Sequence, residues 1–157
     1  MSFRIGYGHD LHRLQDFGTL VLGGVAVAEG ISPMAHSDGD VVIHALVDAL
    51  LGAIGGGDIG DAFPNSDPRW KGVASKVFLD EALRRVSAAG YRVGNVDVMI
   101  LAERPKLGAF KAAIAERLSG WLAAPVNVKA GTNEGCDAVG RGEAIASTVV
   151  VLLLKGQ

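Results

Sequence analysis

The sequence predicts a single α+β domain over residues 1–157. Segments with the period-two apolar pattern of strands are interspersed with segments of helical periodicity. A chain of 157 residues, of which 49% are hydrophobic, is long and apolar enough to bury a core without disulfides. No internal repeat or low-complexity linker divides it, so one domain accounts for the whole pattern.

The first predicted elements are two strands. Over residues 3–12, apolar side chains alternate with small or polar ones, which indicates a strand despite its glycines. Asp10 and His12 are two positions apart and therefore share one face of that strand. Residues 20–25 are predicted to form a second, short strand that ends in a turn.

A buried helix follows these strands. Ser37 and Asp40 have the spacing of an acidic variant of the capping box, with Ser37 as the predicted N-cap residue. Apolar side chains surround residues 41–54 on nearly all sides, which indicates a helix inside the core rather than at the surface. Three consecutive glycines at 55–57 end this helix.

The remaining chain is predicted to contain a loop, two helices and three strands. Residues 58–70 are rich in Gly, Pro, Asp and Asn, which predicts a surface loop of the kind that often carries function. The amphipathic helices are predicted at 74–89 and 107–122, and the strands at 91–102, 126–130 and 145–154.

The overall charge excludes some classes of partner. A net charge of −2 argues against a general nucleic-acid-binding protein, which needs a basic surplus. The apolar runs are too short to span a bilayer and no secretion signal is evident, so we expect a cytoplasmic protein without a membrane partner. Cys136 is the single cysteine and cannot form an intrachain disulfide.

Charge is distributed unevenly along the chain. Residues 1–68 contain two basic and nine acidic residues, a net charge of −7, whereas residues 69–157 contain thirteen basic and eight acidic residues, a net charge of +5. All four histidines lie in the first of these segments. The division indicates a metal-binding region followed by an anion-binding region, although uneven surface solvation explains the charges equally well.

Candidate metal ligands lie on the first strand and on the buried helix. Asp10, His12 and His44 would leave the fourth position of a tetrahedral zinc site open to substrate or water. Asp40, His44 and Asp48 form an i, i+4, i+8 stripe on an otherwise apolar helix. For Asp40 and Asp48 we favour a polar network that joins helix to strand, with Asp40 as a capping residue. For Asp10, His12 and His44, such a network is the alternative to a metal site.

Two further features suit an anion. His36 lies just before the helix N-terminus, where free N–H groups favour a phosphate, and an exposed loop histidine is the equal alternative. Residues 129–142 combine several glycines with Lys129 and Arg141, a composition that lets backbone amides approach a phosphate. Turn formation alone would also explain those glycines.

Six motifs spread over nearly the whole chain carry a family resemblance. They are Arg4-Ile5-Gly6-x-Gly8-x-Asp10-x-His12, Ala35-His36-Ser37-Asp38-Gly39-Asp40-x-x-x-His44-Ala45-Leu46, Gly57-Asp58-Ile59-Gly60, Asn95-Val96-Asp97-Val98, Arg104-Pro105-Lys106 and Gly140-Arg141-Gly142-Glu143. In this order they resemble the 2-C-methyl-D-erythritol 2,4-cyclodiphosphate synthases of the non-mevalonate isoprenoid pathway.

The resemblance implies a fold, an assembly and a reaction. The fold is a mixed β-sheet packed on one side by helices, and the assembly is a homotrimer with active sites between neighbouring subunits. The reaction is an intramolecular phosphoryl transfer by a phosphorus–oxygen lyase. It converts 4-diphosphocytidyl-2-C-methyl-D-erythritol 2-phosphate into 2-C-methyl-D-erythritol 2,4-cyclodiphosphate and CMP.

The resemblance also implies roles for individual residues. One Zn²⁺ per subunit would be held by Asp10, His12 and His44, and a second divalent cation, Mg²⁺ or Mn²⁺, by Glu134. The residues implied to stabilise charge in the transition state are His36 and Thr132. The methylerythritol phosphate would be surrounded by Ser37, Asp58, Ile59, Gly60, Phe63, Pro64, Asn65, Ser66 and Asp67. The cytidine nucleotide would be held by Ala102, Pro105, Lys106 and Leu107. Further substrate-binding positions are Gly131, Asn133, Ala138 and Arg141, the last two near a central channel for an isoprenoid diphosphate.

Two other functions are compatible with the same residues. A metal-dependent phosphohydrolase could use these ligands to activate water, and a non-catalytic protein could use zinc to stabilise a trimer. The reaction products would distinguish a phosphohydrolase from a cyclodiphosphate synthase. An open fourth coordination position would argue against the second, because structural zinc sites are usually closed.

Overall fold

The structure, a computed structural model, describes residues 2–35, 37–64 and 66–156. Two predicted site residues, His36 and Asn65, lie outside the described residues. The strands are β1 (Phe3–Gln15), β2 (Thr19–Leu22), β3 (Val25–Glu29), β4 (Ser32–Pro33), β5 (Tyr91–Leu101), β6 (Val126–Gly131) and β7 (Ala144–Lys155). The helices are α1 (Val41–Ile54), α2 (Ile59–Ala62), α3 (Lys76–Ala88), α4 (Lys111–Leu122) and α5 (Asp137–Gly140), with a 3-10 turn at Pro68–Trp70. None of the helices in these ranges has the length and apolar character needed to cross a membrane.

A five-stranded mixed sheet in the order β4-β1-β7-β5-β6 forms the centre of the fold. Neighbouring strands pair antiparallel except for β5 and β6, which are parallel. The helix α1 packs on β1 and β7, α3 packs on α1 and β5, and α4 packs on β6. Their apolar side chains join those of the sheet in one core. The predicted mixed sheet with helices packed against it is therefore confirmed.

Two glycines let α1 lie directly against β1. A Cβ atom added to Gly6 would lie 1.8 Å from the carbonyl oxygen of Ala49, and one added to Gly8 would lie 1.9 Å from that of Ala45. No side chain fits at either position, which explains the glycines in an otherwise regular strand. Because alternate residues share a face, Asp10 also faces α1.

The helix α1 begins later than the capping motif predicts, so the prediction of Ser37 as N-cap is wrong. Gly39 has φ +71°, a left-handed conformation that interrupts any helix starting at Ser37. Asp40 is the N-cap residue, and its carboxylate accepts hydrogen bonds from two N–H groups of the first turn. The same carboxylate accepts two more from the turn between β2 and β3, at 2.9 and 2.8 Å. The structural role favoured for Asp40 is confirmed.

Other boundaries also differ from the predicted ones. The strand predicted at 20–25 is a hairpin of β2 and β3, because Gly23 and Gly24 adopt positive φ values and reverse the chain. The helix predicted from residue 107 begins at Lys111, after a turn at 108–110. The loop predicted at 58–70 contains α2 and the 3-10 turn.

Candidate active site

Asp10, His12 and His44 bring three potential metal-ligand atoms together. Oδ2 of Asp10 lies 3.0 Å from both Nε2 of His12 and Nδ1 of His44, and the two nitrogens are 3.2 Å apart. Ligands at about 2.0–2.1 Å around tetrahedral zinc lie about 3.3–3.4 Å from one another, so this triangle fits one face of such a site. Within the described part of the chain, it is the one group of His, Cys, Asp or Glu residues that could hold a metal ion.

The fold places these three side chains from two elements in direct contact. Asp10 and His12 lie on the face of β1 that turns toward α1, and His44 lies in the first turns of α1. Burial works to raise the pKa of Asp10, but hydrogen bonds and charge interactions with the two histidines outweigh it and hold the pKa well below its ordinary range. Asp10 is therefore ionised, the state in which a carboxylate binds a metal.

Two nearby polar residues, His9 and Asp48, stay out of this group. His9 points to the opposite face of β1, where its Nδ1 lies 3.1 Å from Oγ1 of Thr148. Asp48 accepts a 2.7 Å hydrogen bond from the backbone N–H of Ile59, so its carboxylate joins α1 to the following segment. The polar role favoured for Asp48 is confirmed, but its partner lies on α2 and not on a strand.

A cavity of about 620 Å³ opens beside the three ligand residues, all of which line it. It is also lined by the predicted site residues Ser37, Ile59, Gly60, Phe63, Ser66 and Asp67. Two other predicted residues of this segment, Asp58 and Pro64, do not line it. Asp58 instead caps α2 by accepting a 2.8 Å hydrogen bond from the N–H of Asp61.

One wall of this first cavity is an aromatic cluster of Phe63, Trp70 and Phe78, of which Phe63 alone was predicted as a site residue. The ring centroids of Phe63 and Phe78 are 4.6 Å apart, and Trp70 lies 5.2 Å from Phe63 and 5.9 Å from Phe78. Such tilted and edge-to-face contacts stabilise the wall. Lys71 places a cationic side chain on the same cavity. For Trp70 and Lys71, the available signal in the sequence was their position in or next to the loop predicted at 58–70.

A second cavity, of about 300 Å³, lies at the C-terminal ends of β5 and β6. The predicted residues that line it are Ala102, Pro105, Lys106, Leu107, Gly131 and Thr132. Lys111 at the start of α4 lines it as well and was not predicted. Its two lysines give this cavity a positive character that suits a phosphate group.

From Thr132 at the second cavity to Arg141, the side chains of several predicted site residues form hydrogen bonds or ion pairs with one another or with neighbouring residues. Oγ1 of Thr132 donates a 3.0 Å hydrogen bond to Oε1 of Glu134, which has a left-handed φ of +51°. The side-chain amide of Asn133 bonds to Asp137, and Nε of Arg141 lies 2.9 Å from Oε1 of Glu143. Ala138 packs beside a small buried cluster of α5 and β7.

Of the residues that the structure describes, none lines both cavities. Within one chain, the three ligand residues of the first cavity therefore do not meet Thr132 in the second. The fold and site define a metal-binding α+β protein whose three-ligand centre opens into a cavity, as catalytic metal sites do and closed structural sites do not.

Comparison with known proteins identifies the family. The family model described as YgbB matches residues 3–154. A 2-C-methyl-D-erythritol 2,4-cyclodiphosphate synthase from Desulfosudis oleivorans is 54% identical over 155 residues, which cover 97% of this chain and 92% of that protein. The chloroplastic enzyme of the same name from Arabidopsis thaliana is 48% identical over 158 residues, 99% of this chain and 68% of that protein. The solved structure of a 2C-methyl-D-erythritol-2,4-cyclodiphosphate synthase in a CDP-bound form superposes with a TM-score of 0.89 and 42% identity, covering 96% of this chain and all of the other. The chain belongs to the YgbB family, which confirms the resemblance seen in its sequence motifs.

Proposed function

We propose that this chain converts 4-diphosphocytidyl-2-C-methyl-D-erythritol 2-phosphate into 2-C-methyl-D-erythritol 2,4-cyclodiphosphate and CMP. It is a lyase that acts on a phosphorus–oxygen bond. Family membership over residues 3–154 supports this reaction, and the similar proteins bear the name of the enzyme that performs it. The observation that carries the proposal within the molecule is the open triad of Asp10, His12 and His44 beside a cavity of about 620 Å³.

The reaction requires no nucleophilic side chain. The 2-phosphate of the substrate attacks the β-phosphorus of its own diphosphate, a new P–O bond forms, and the bond to CMP breaks. The protein has to fold a flexible substrate so that the attacking and leaving oxygens are in line, an effect worth about 7–11 kcal/mol. Two cavities, one for each end of the substrate, suit that task.

The first cavity would hold the methylerythritol phosphate end. Its aromatic wall, with Phe63 and Phe78, offers apolar surface to the carbon skeleton, while Ser37 and Ser66 offer hydroxyl donors to phosphate oxygens. Lys71 adds a positive charge. Asp10, His12 and His44 would hold Zn²⁺, which when bound supplies positive charge to neutralise the reacting phosphates.

The second cavity would hold the cytidine nucleotide. Lys106 and Lys111 supply positive charge, and Ala102 and Leu107 supply apolar surface for the base. A similar protein has been solved in a CDP-bound form, which supports a cytidine nucleotide as ligand. Thr132 at the same cavity would stabilise charge in the transition state with His36, and Glu134 would hold a second divalent cation, Mg²⁺ or Mn²⁺.

A homotrimer would bring the two cavities of neighbouring chains together into one active site. The face of the sheet opposite the helices exposes a row of apolar side chains on β1 and β7, namely Phe3 (60%), Ile5 (64%), Tyr7 (64%), Leu11 (50%) and Val150 (42%). Monomeric proteins rarely expose an apolar patch of this kind, so it supports burial against other copies. The separation of the two cavities within one chain supports a site that needs two chains.

The location of the protein is a separate part of the proposal. A cytoplasmic location, expected from the sequence, stays a prediction. The relative from Arabidopsis thaliana is named as chloroplastic, whereas the name of the one from Desulfosudis oleivorans gives no compartment.

Phosphorus NMR tests the proposed reaction. The purified protein, supplied with zinc and magnesium, is incubated with the cytidine substrate, and the resonances of the products are followed. The proposal predicts equimolar cyclic diphosphate and CMP. Hydrolysis to a linear phosphate product would identify a phosphohydrolase instead, and an unchanged substrate spectrum would identify a protein without this activity.

A further inference from the structure

The ring nitrogen of His44 that faces away from the ligand triad lies against two hydroxyl groups. Nε2 is 2.8 Å from Oγ of Ser75 and 3.1 Å from Oγ of Ser37. Ser75 is fully buried and immediately precedes α3, 31 positions from His44 in the sequence. No motif of the sequence analysis includes Ser75.

The carboxylate of Asp38 holds Ser75 on its other side. Oδ2 of Asp38 accepts a 2.9 Å hydrogen bond from the backbone N–H of Ser75, and Oδ1 accepts one from the Ser75 hydroxyl. Oδ1 also accepts the N–H of Asp40, at 3.2 Å. Two of these donors are backbone N–H groups, one to each carboxylate oxygen, and because an N–H can only donate, both oxygens of Asp38 act as acceptors.

This arrangement determines the direction of each hydrogen bond. A carboxylate only accepts, so the hydroxyl proton of Ser75 is directed to Asp38. Oγ of Ser75 must then accept from Nε2 of His44, which carries the ring proton. With the ring proton on Nε2, Nδ1 is the nitrogen that offers its lone pair to a metal ion; it lies 3.0 Å from Oδ2 of Asp10, and metal coordination would replace the hydrogen bond between them.

We propose that Asp38 and Ser75 are positioning residues that fix His44 in its Nε2–H tautomer and aim Nδ1 at the metal. A metal-bound histidine commonly donates its second ring N–H to a carboxylate or another acceptor, and losing that partner typically costs 10- to 100-fold in metal affinity. In this chain the carboxylate acts through a buried serine. The inference rests on the proposed role of His44 as a metal ligand.

Ser37 does not fulfil the same role. Its Oγ lies 3.1 Å from Nε2 of His44 and accepts the N–H of Gly39 at 3.3 Å. Among the described residues, no carboxylate contacts the Ser37 hydroxyl to direct its proton away from His44. Ser37 can therefore accept from the ring or donate to it, and it does not determine the tautomer.

Zinc affinity, measured by competition with a chromophoric chelator, tests the inference independently of enzyme activity. We expect Ser75→Ala to weaken zinc binding 10- to 100-fold. The matched control is Ser119→Ala on α4, which removes a half-buried hydroxyl that donates to the carbonyl oxygen of Ala124 at 2.8 Å. Because α4 packs on β6, and β7 and β5 lie between β6 and β1 in the sheet, the control should bind zinc like the wild type.

A second variant keeps the test decisive if Ser75→Ala does not fold. In Asp38→Asn the side chain keeps nearly the same shape, but its amide N–H can donate to Oγ of Ser75. The hydroxyl proton of Ser75 can then point toward Nε2 of His44 instead of toward residue 38. We expect at least a tenfold loss of zinc affinity in this variant, and loss of the slowly exchanging Nε2–H signal of His44 from the ¹H–¹⁵N spectrum of zinc-loaded protein.

The outcomes separate this inference from the proposed function. If the wild type binds no zinc, the role of His44 as a ligand fails and the inference fails with it. If the wild type binds zinc and a folded Ser75→Ala or Asp38→Asn protein binds it equally tightly, the positioning role alone is overturned. An equal loss in Ser119→Ala would overturn it too, since the effect would then not depend on the contact with His44.

Discussion

The carboxylate of Asp48 accepts a 2.7 Å hydrogen bond from the backbone N–H of Ile59 and so ties the start of α2 to the buried helix α1. Ile59 and Gly60 line the first cavity, so this bond holds one of its walls. Burial raises the pKa of Asp48, and the hydrogen bond from Ile59 opposes that rise. Asp48 thus connects a rigid core element to a segment that would contact the substrate.

We expect Asp48→Ala to lower the free energy of unfolding by about 1.5–3 kcal/mol, the usual value of a hydrogen bond to a charged group. KM for the cytidine substrate should rise severalfold with a smaller change in kcat, because the cavity wall is loosened while the ligand triad is intact. Asp48→Asn retains an oxygen acceptor for the Ile59 N–H and is the control. Identical kinetics and stability in the Ala variant and the wild type would show that the bond does not hold the wall.

The buried carboxylate of Asp40 makes a pH-dependent contribution to stability. Burial raises the pKa of Asp40 from 3.8 to about 6, although its backbone hydrogen bonds work in the opposite direction. The folded state therefore binds a proton at pH values where the unfolded state has released it. The contribution of Asp40 to the free energy of unfolding is therefore highest at low pH. It decreases by about 3 kcal/mol in total as the pH rises from about 4 to about 6.

A comparison of the wild type with Asp40→Asn isolates this contribution, because the amide does not titrate. The stability of the wild type relative to Asp40→Asn should increase when the pH is lowered from 7 to 4. Urea unfolding at several pH values measures the difference. A difference that is constant with pH, or that grows toward neutral pH, would show that Asp40 does not titrate as described.

Local patterns in the sequence were sufficient to predict most of the fold. The period-two pattern at the start of the chain placed Asp10 and His12 on one face, and the almost wholly apolar segment 41–54 identified a buried helix that carries His44. The apolar side chains of β1 lie on the face away from α1, so the apolar pattern alone did not require these two elements to pack together. The types of the three residues and the resemblance of their motifs to a family completed the prediction of the triad, whose members lie up to 34 positions apart.

Features that depend on tertiary contacts or on backbone conformation could not be predicted in this way. Ser37 has the spacing of an N-cap residue, but the left-handed conformation of Gly39 moves the helix start to Asp40. Ser75 contacts His44 only because α3 packs on α1, and no short motif encodes that contact. The four-residue helix α5 is too short to give a periodic pattern.

The exposed apolar face of the sheet gives a prediction about assembly. Ile5→Lys places a charge in that face, where the side chain is 64% exposed in one chain, and should convert a trimer into monomers. The monomers should still bind zinc, since one chain supplies the whole triad, but they should lose activity if the second cavity comes from a neighbour. Sedimentation equilibrium and zinc analysis measure both properties.

The control for this substitution is Val77→Lys, which changes an exposed apolar residue on α3, 46% exposed and away from the sheet face. It should remain trimeric and active. A wild-type monomer in solution would refute the proposed assembly. Active Ile5→Lys monomers would refute the shared active site.

The central claim is that Asp10, His12 and His44 hold the zinc on which the reaction depends. The most direct measurement is a titration of metal-free protein with zinc, in excess magnesium, that records bound zinc and the rate of CMP release together. We expect no activity without zinc, a linear rise that ends at one equivalent per chain, and neither binding nor activity in His44→Ala over the same range. Full activity in the metal-free protein, or one equivalent of zinc bound by His44→Ala, would contradict it.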